Sequence, residues 1–274
     1  MIIYAVLTEQ SIGRLFMAGI IPGIILTLLF IGAIYLVVSR RPEHGPPGPK
    51  ASVQERIASL RLALPIVAVV VATIGGMYTG FFTPVEASAV GAFLTFVVAL
   101  ARRSLSWAKL GTVVIETLSA TATVFLIIIG AFVFIPFMSM TELPAHLVTI
   151  LTSLPIGSIG ILLIIILIYM FLGMFLEGIA MLVLTIPVVI PIAMGMGWDL
   201  VWFGIIVVVV LEMGMISPPV GINVFVVKSI APEVPMGTIF RGIWPFWFAM
   251  ALMIVLLIIF PQIALFLPQP LVGG

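Results

Sequence analysis

Two interruptions of otherwise apolar sequence hold the residues best suited to chemistry. The first is Leu176-Glu177-Gly178, between the apolar arms Ile159–Phe175 and Ile179–Ala193. The second is Ser217-Pro218-Pro219-Val220-Gly221, inside the long apolar stretch Trp202–Lys228. Proline lacks an N–H and its ring clashes with the preceding turn, so two in succession stop a helix. In hydrocarbon every freed backbone polar group is costly, so non-helical backbone persists only where it lines a cavity or is packed in protein. Unwound carbonyls, with the hydroxyls of Ser217 and Thr185, offer the hard oxygen ligands that a cation such as Na+ takes. Helix segments restarting after such breaks carry partial positive charge at their N-termini, which fits a carboxylate substrate. A proline kink that only shapes packing is the plain alternative.

Glu177 and Glu212 are the ionisable residues deepest in apolar sequence, and an intramembrane acid is a functional candidate by default. Glu177 fits either a direct role or the cap of a helix starting at Ile179. Glu212, five residues before Ser217, fits either a direct role or a bond to loop backbone or Asn223. Asn223, just after the break, is well placed to orient an ion or a carboxylate. Thr83 and Glu86 are further polar candidates, in Thr79-Gly-Phe-Phe-Thr-Pro-Val-Glu86. His44 and His146 fall in polar or interfacial segments and read as solvated. Trp198, Trp202, Trp244 and Trp247 flank spans and read as interface anchors. Gly19/Gly23 and Gly76/Gly80 have the spacing of close helix packing.

The elements that must position these residues follow from composition. Of 274 residues, 63% are hydrophobic and 8% charged, with mean hydropathy +1.42. Those values lie far outside the soluble globular range and define an all-α, multi-span membrane protein. Without cysteine there are no disulfides or thiolate metal sites, and a net charge of +1 gives no basic stripe for nucleic acid. The first span is about Leu15–Val38. Ser39–Arg61 follows, with Pro42, Pro46, Pro47 and Pro49 making an extended linker and Val53–Leu62 a short amphipathic helix. Its cations, with Arg102, Arg103 and Lys109 in a later loop, place both segments on the cytoplasmic side. Leu64–Ala101 therefore goes out and returns, turning before Pro84, and Thr112–Met138 crosses again. Glu142–Leu154 is interfacial. The two short arms, about 159–193, form a re-entrant hairpin. About 202–228 is a broken helix, and Thr238–Leu267 is the last span.

The chain also resembles itself. Glu9-x-x-x-Gly13 then Gly19-x-x-Pro22 precedes one long apolar helix; Glu233-x-x-x-Gly237 then Gly242-x-x-Pro245 precedes another. Charge placement gives the two copies opposite orientations, the inverted repeat of secondary transporters. Residues 1–38 then close a first repeat, 39–63 form a linker, and 64–274 make a second. The expectation is that most of a first repeat precedes Met1.

Five strings carry a family resemblance. Gly173-Met-Phe-Leu-Glu-Gly-Ile-Ala-Met-Leu-Val-Leu-Thr-Ile-Pro-Val-Val-Ile-Pro191, Phe203-Gly-Ile-Ile and Glu212-Met-Gly-Met-Ile-Ser-Pro-Pro-Val-Gly-Ile-Asn223 resemble the large membrane subunit of tripartite ATP-independent periplasmic (TRAP) transporters. Tyr78-Thr-Gly-Phe-Phe-Thr-Pro-Val-Glu-Ala87 and Ile12-Gly-Arg-Leu-Phe-x-Ala-Gly19 are similar to further signatures of that family. The resemblance implies Na+-driven uptake of organic acids, dicarboxylates or related carboxylates, across the bacterial inner membrane by an elevator-type transport domain. It also implies a periplasmic substrate-binding protein and a small four-span membrane subunit as partners, and no organic cofactor. Carried over, the substrate side falls to Glu177, Gly178 and Asn223. The Na+ side falls to Ser217, Pro218, Pro219, Val220 and Gly221 through backbone carbonyls and the Ser217 hydroxyl. The family commonly has Thr at Ser217 and often Asn at Val210; the first change keeps a hydroxyl, the second removes a polar group. A stand-alone sodium- or proton-coupled organic-anion carrier is the competing reading. No His-Glu-x-x-His, Gly-x-Ser-x-Gly or paired aspartate supports an intramembrane enzyme.

Overall fold

A computed structural model describes residues 1–46, 48, 51–153 and 155–268; Pro47 and Pro49 of the expected linker lie outside the described residues. Every regular element among them is helical. In chain order these are α1 (Ile2–Thr8), α2 (Ile12–Arg40), α3 (Val53–Tyr78), α4 (Pro84–Ala101), α5 (Trp107–Met140) and α6 (Leu143–Ser153). They continue as α7 (Gly157–Gly173), α8 (Gly178–Gly195), α9 (Leu200–Met215), α10 (Ile222–Ile230), α11 (Met236–Ile259) and α12 (Gln262–Leu265), with a short 3-10 turn at Pro42–His44. Six of them, α2, α3, α4, α5, α8 and α11, are long and apolar enough to cross a bilayer. The chain is a multi-span helical membrane protein.

Two compact units divide it: Met1–His44 with Val124–Gly274, and Gly45–Thr123. In the second, α3 and α4 pack side by side. Thr83 and Glu86 make the turn between them rigid through a capping box, with Glu86 Oε2 accepting from Thr83 N at 2.8 Å and from Thr83 Oγ1 at 2.9 Å. Pro84 sits in the first turn of α4, where its missing N–H costs nothing. The expected separate amphipathic helix at Val53–Leu62 does not exist; those residues are the first turns of an unbroken α3. Ser52 and Glu55 cap its start reciprocally, and straight-chain residues carry the helix on to Pro65 and beyond. No residue of α3 is fully buried, and away from its contact with α4 its apolar surface is exposed.

The first unit is built around α9. Twelve of its 16 residues are buried, as expected of a helix apolar all round and enclosed by others. Asp199 caps it, accepting from Val201 N (2.8 Å) and Trp202 N (3.1 Å). It packs against α2, α7, α8 and α11. Trp202 Nε1 donates to Leu257 O and Trp247 Nε1 to Ser217 Oγ, so α9 and α11 run antiparallel. Leu15 and Tyr4 crowd Gly204, near the Leu257 end of α11, whereas Phe30 meets Phe246 edge-to-face at 5.4 Å. Hence α2 and α11, the two helices with the repeated glycine and proline spacing, are also antiparallel. Their packing is why residues 1–44 join 124–274 in one unit.

Candidate functional site

The Ser217–Gly221 break follows directly from the prolines. In a continuous helix the carbonyls of Gly214 and Met215 would accept from residues 218 and 219, which have no N–H. Ser217 N bonds to Gly214 O instead, at 2.9 Å, which is one residue short of its helical partner. Met213 O, deprived of that N–H, accepts from Ser217 Oγ at 2.6 Å. Met215 O keeps no backbone partner, because both candidates are proline. The Pro218–Pro219 peptide is cis. Gly221 then turns the chain with φ +62°, and a β-carbon there would lie 3.0 Å from Ser217 O, so only glycine fits. Beyond it α10 starts with no side-chain cap, leaving N–H groups at its N-terminus open. Asn223, in its first turn, is half-buried and its amide bonds to no described residue.

Ser217 is 1% exposed, and its hydroxyl is committed on both sides. It donates to Met213 O and accepts from Trp247 Nε1 at 2.9 Å. Trp247 is thus a support for the break and not an interface anchor. Trp202 is likewise internal, 7% exposed, with its indole N–H donating to Leu257 O at 2.8 Å. That carbonyl would otherwise pair with residue 261, which is proline, so the indole supplies a donor the backbone lacks. Trp198 donates to Ser158 Oγ at 2.7 Å.

At the tip, Glu177 caps α8: its Oε2 accepts from Ile179 N at 2.9 Å and Ala180 N at 3.2 Å. The N-terminal donors of α8 are therefore engaged by the protein's own carboxylate, while in α10 Val224 N bonds to Gly221 O at 2.8 Å and the N–H groups of Ile222 and Asn223 have no side-chain cap. Thr185 does not reach the break. Its hydroxyl donates to Met181 O at 2.8 Å and, having spent its one proton, accepts from Tyr169 OH at 2.5 Å. Glu212 makes no bond to Asn223 or to the loop; it opens with Glu177 onto a groove of about 510 Å³, otherwise mostly apolar. Thr83 and Glu86 lie in the other unit, as the capping pair already described. His146 is exposed; the His44 side chain lies outside the described set.

What joins tip and break is a contact the sequence reading missed. A β-carbon on Gly173 would fall 3.1 Å from Gly214 Cα, and one on Gly214 would fall 2.9 Å from Gly173 Cα. The end of α7 and the end of α9 thus meet backbone to backbone. Gly178 is similarly close to Leu211. The expected Gly19/Gly23 and Gly76/Gly80 pairs do not behave this way: Gly23 and Gly80 have open space where a side chain would go. Gly173 and Gly214 escaped notice because a helix–helix pair between different segments has no sequence spacing to reveal it.

The fold and these breaks define a multi-pass membrane protein with two interrupted helical elements packed end to end. The family model described as "Tripartite ATP-independent periplasmic transporter, DctM component" matches residues 1–263. Among its relatives, the "C4-dicarboxylate TRAP transporter large permease protein DctM" of Pseudomonas aeruginosa is 34% identical over 98% of this chain and 62% of its own length. The "Sialic acid TRAP transporter large permease protein SiaM" of Vibrio cholerae is 32% identical over 100% of this chain and 64% of its own length. The "Ectoine TRAP transporter large permease protein TeaC" of Halomonas elongata is 35% identical over 97% and 62%. The chain belongs to the DctM family of tripartite ATP-independent periplasmic transporters, as a multi-pass protein of the bacterial inner membrane. It spans less than two thirds of the length of these relatives.

Proposed function

We propose that the protein is a sodium-coupled carrier subunit, not an enzyme, taking up organic acids delivered by a periplasmic binding protein and working beside a small four-span membrane subunit. The observation that carries this reading is the backbone contact of Gly173 with Gly214, which holds a helix tip and a proline break together inside the most buried part of the chain. Na+ is carried, and its ligands are backbone carbonyls freed at residues 215–220. Oxygen dipoles suit a hard cation, and among the described residues no group of three or more His, Cys, Asp or Glu offers another kind of site. With its hydroxyl already shared by Met213 and Trp247, Ser217 contributes by fixing the shape of the break and through its own carbonyl.

The substrate carboxylate meets the open N-terminus of α10 and the free Asn223 amide, where partial positive charge and donors coincide. Glu177 and Gly178 form the opposite wall, Glu177 ordering the tip as its cap. Relatives named for a C4-dicarboxylate and for sialic acid support an acid as the cargo class. Transport is elevator-like: α7–α10 move as one body, because tip and break share backbone contact. In this reading residues 1–38 close one inverted repeat, 39–63 form a cytoplasmic linker, and 64–274 make the second repeat. A stand-alone carrier needing no binding protein is the alternative, and omission of the binding protein from a reconstitution distinguishes the two.

The test is uptake by the complete transporter in proteoliposomes as a function of Na+. Asn223→Ala is expected to raise the half-saturating substrate concentration about ten-fold or more, as loss of a charge-assisted bond implies, and Ser217→Ala to raise that of Na+ by letting the break lose its shape. Unchanged curves in both variants would remove the break from the site.

A further inference from the structure

We infer that the Arg61/Arg102/Arg103 end of the α3–α4–α5 unit is a binding site for the phosphate headgroup of an anionic phospholipid. Five cations, Arg56, Arg61, Arg102, Arg103 and Lys109, lie at this end, all exposed. The Arg102 guanidinium donates to Leu62 O, so the start of the apolar part of α3 and the end of α4 are fixed at one level. Lys109 Nζ donates to Ser104 O at 3.1 Å, folding the start of α5 back onto the same loop. Arg103 holds a left-handed φ of 50°, which ends α4 sharply.

None of the five cations makes an ion pair with a described residue. Of the carboxylates toward this end, Glu55 is occupied with the Ser52 cap, and Glu116 lies two turns along α5 from Lys109, about 10 Å away. Glu86 lies at the far end of α4, whose 18 residues span about 27 Å. The positive charge here is therefore left without an ion-pair partner among the described residues.

Depth identifies the occupant. From Leu62 to Tyr78 α3 is apolar, roughly 25 Å of helix at 1.5 Å per residue. With α4 of nearly equal length, the two helices fit a hydrocarbon core whose boundary falls at Arg61 and Arg102. Trp107, 89% exposed beside the same loop, is the residue type that settles at headgroup level. Arg61 and Arg103 thus sit where phospholipid phosphates lie, and α3 below them is unburied along its length, free to take acyl chains. A free phosphate in solution would gain nothing from that apolar wall.

The complete protein in nanodiscs of equal phosphatidylglycerol and phosphatidylcholine tests this, with the lipids it retains counted by native mass spectrometry. Phosphatidylglycerol should be retained preferentially. Arg61→Gln with Arg103→Gln, which spares the Arg102–Leu62 bond, should cut that preference roughly five-fold or more, the worth of about one surface cation. Arg61→Lys with Arg103→Lys should keep most of it. For wild type alone, raising salt from 0.1 M to 1 M should erase the preference, because the Debye length falls from about 10 Å to about 3 Å. No preference in wild type, an equal preference in the Gln variant, or persistence in 1 M salt overturns the site. Displacement of the lipid by millimolar glycerol phosphate overturns the lipid as its occupant.

Discussion

At the proline breaks, side chains take over hydrogen bonds that the backbone cannot make. Ser217 Oγ serves Met213 O, and Trp202 Nε1 serves Leu257 O, whose helical partner would be residue 261, a proline. In a medium without water these are the available donors. Trp202→Phe keeps the ring and removes only the donor, so it should cost about 1–3 kcal/mol, the penalty of a buried carbonyl left unmet. The measurement is the thermal unfolding midpoint of the complete protein in detergent; an unchanged midpoint would mean that Leu257 O finds another donor. The prolines and hydroxyls were legible as marks of a break. The indole partners were not, because a tryptophan near the end of an apolar run looks the same whether it anchors to headgroups or bonds inward.

Among the elements, α9 decides the geometry: its buried length sets α7, α8, α2 and α11 around one axis, with the break at its end. Sequence periodicity located every long helix, since about 20 apolar residues between polar turns admits little else. It misjudged Val53–Leu62, where a polar start to a spanning helix and a separate surface helix share one pattern. The α7–α9 crossing could not be read at all, because lipid-phase association rests on small residues meeting across different helices. That crossing gives a sharp contrast. Gly214→Ala, whose β-carbon would fall 2.9 Å from Gly173 Cα, should cost roughly 1–3 kcal/mol through overpacking. Gly23→Ala, with open space around it, should stay within about 0.5 kcal/mol of wild type. Equal midpoints for the two variants would show that tip and break are not in contact.

For the molecule as a whole, α2 and α11, the two helices with the repeated spacing, are antiparallel neighbours that each carry an internal proline, Pro22 and Pro245. The grouping of residues 1–44 with 124–274 was not foreseen, since contact between distant segments leaves no local trace. The cation patch on the other unit is legible as charge but not as a site, until Arg102 is seen to bring two loops to one level. Na+ binding by the backbone carbonyls of residues 215–220 is the proposed core of the transport cycle. The most direct measurement is the thermal midpoint of the complete purified protein as NaCl replaces choline chloride at constant ionic strength. Wild type should gain stability as RT ln(1 + [Na+]/Kd), about 2.7 kcal/mol at one hundred times Kd. Ser217→Ala, which frees the shape of the break, should lose most of that gain, whereas Asn223→Ala, on the substrate side, should keep it. A wild-type midpoint indifferent to Na+, or a Ser217→Ala variant that responds to Na+ as wild type does, would contradict Na+ binding at the break.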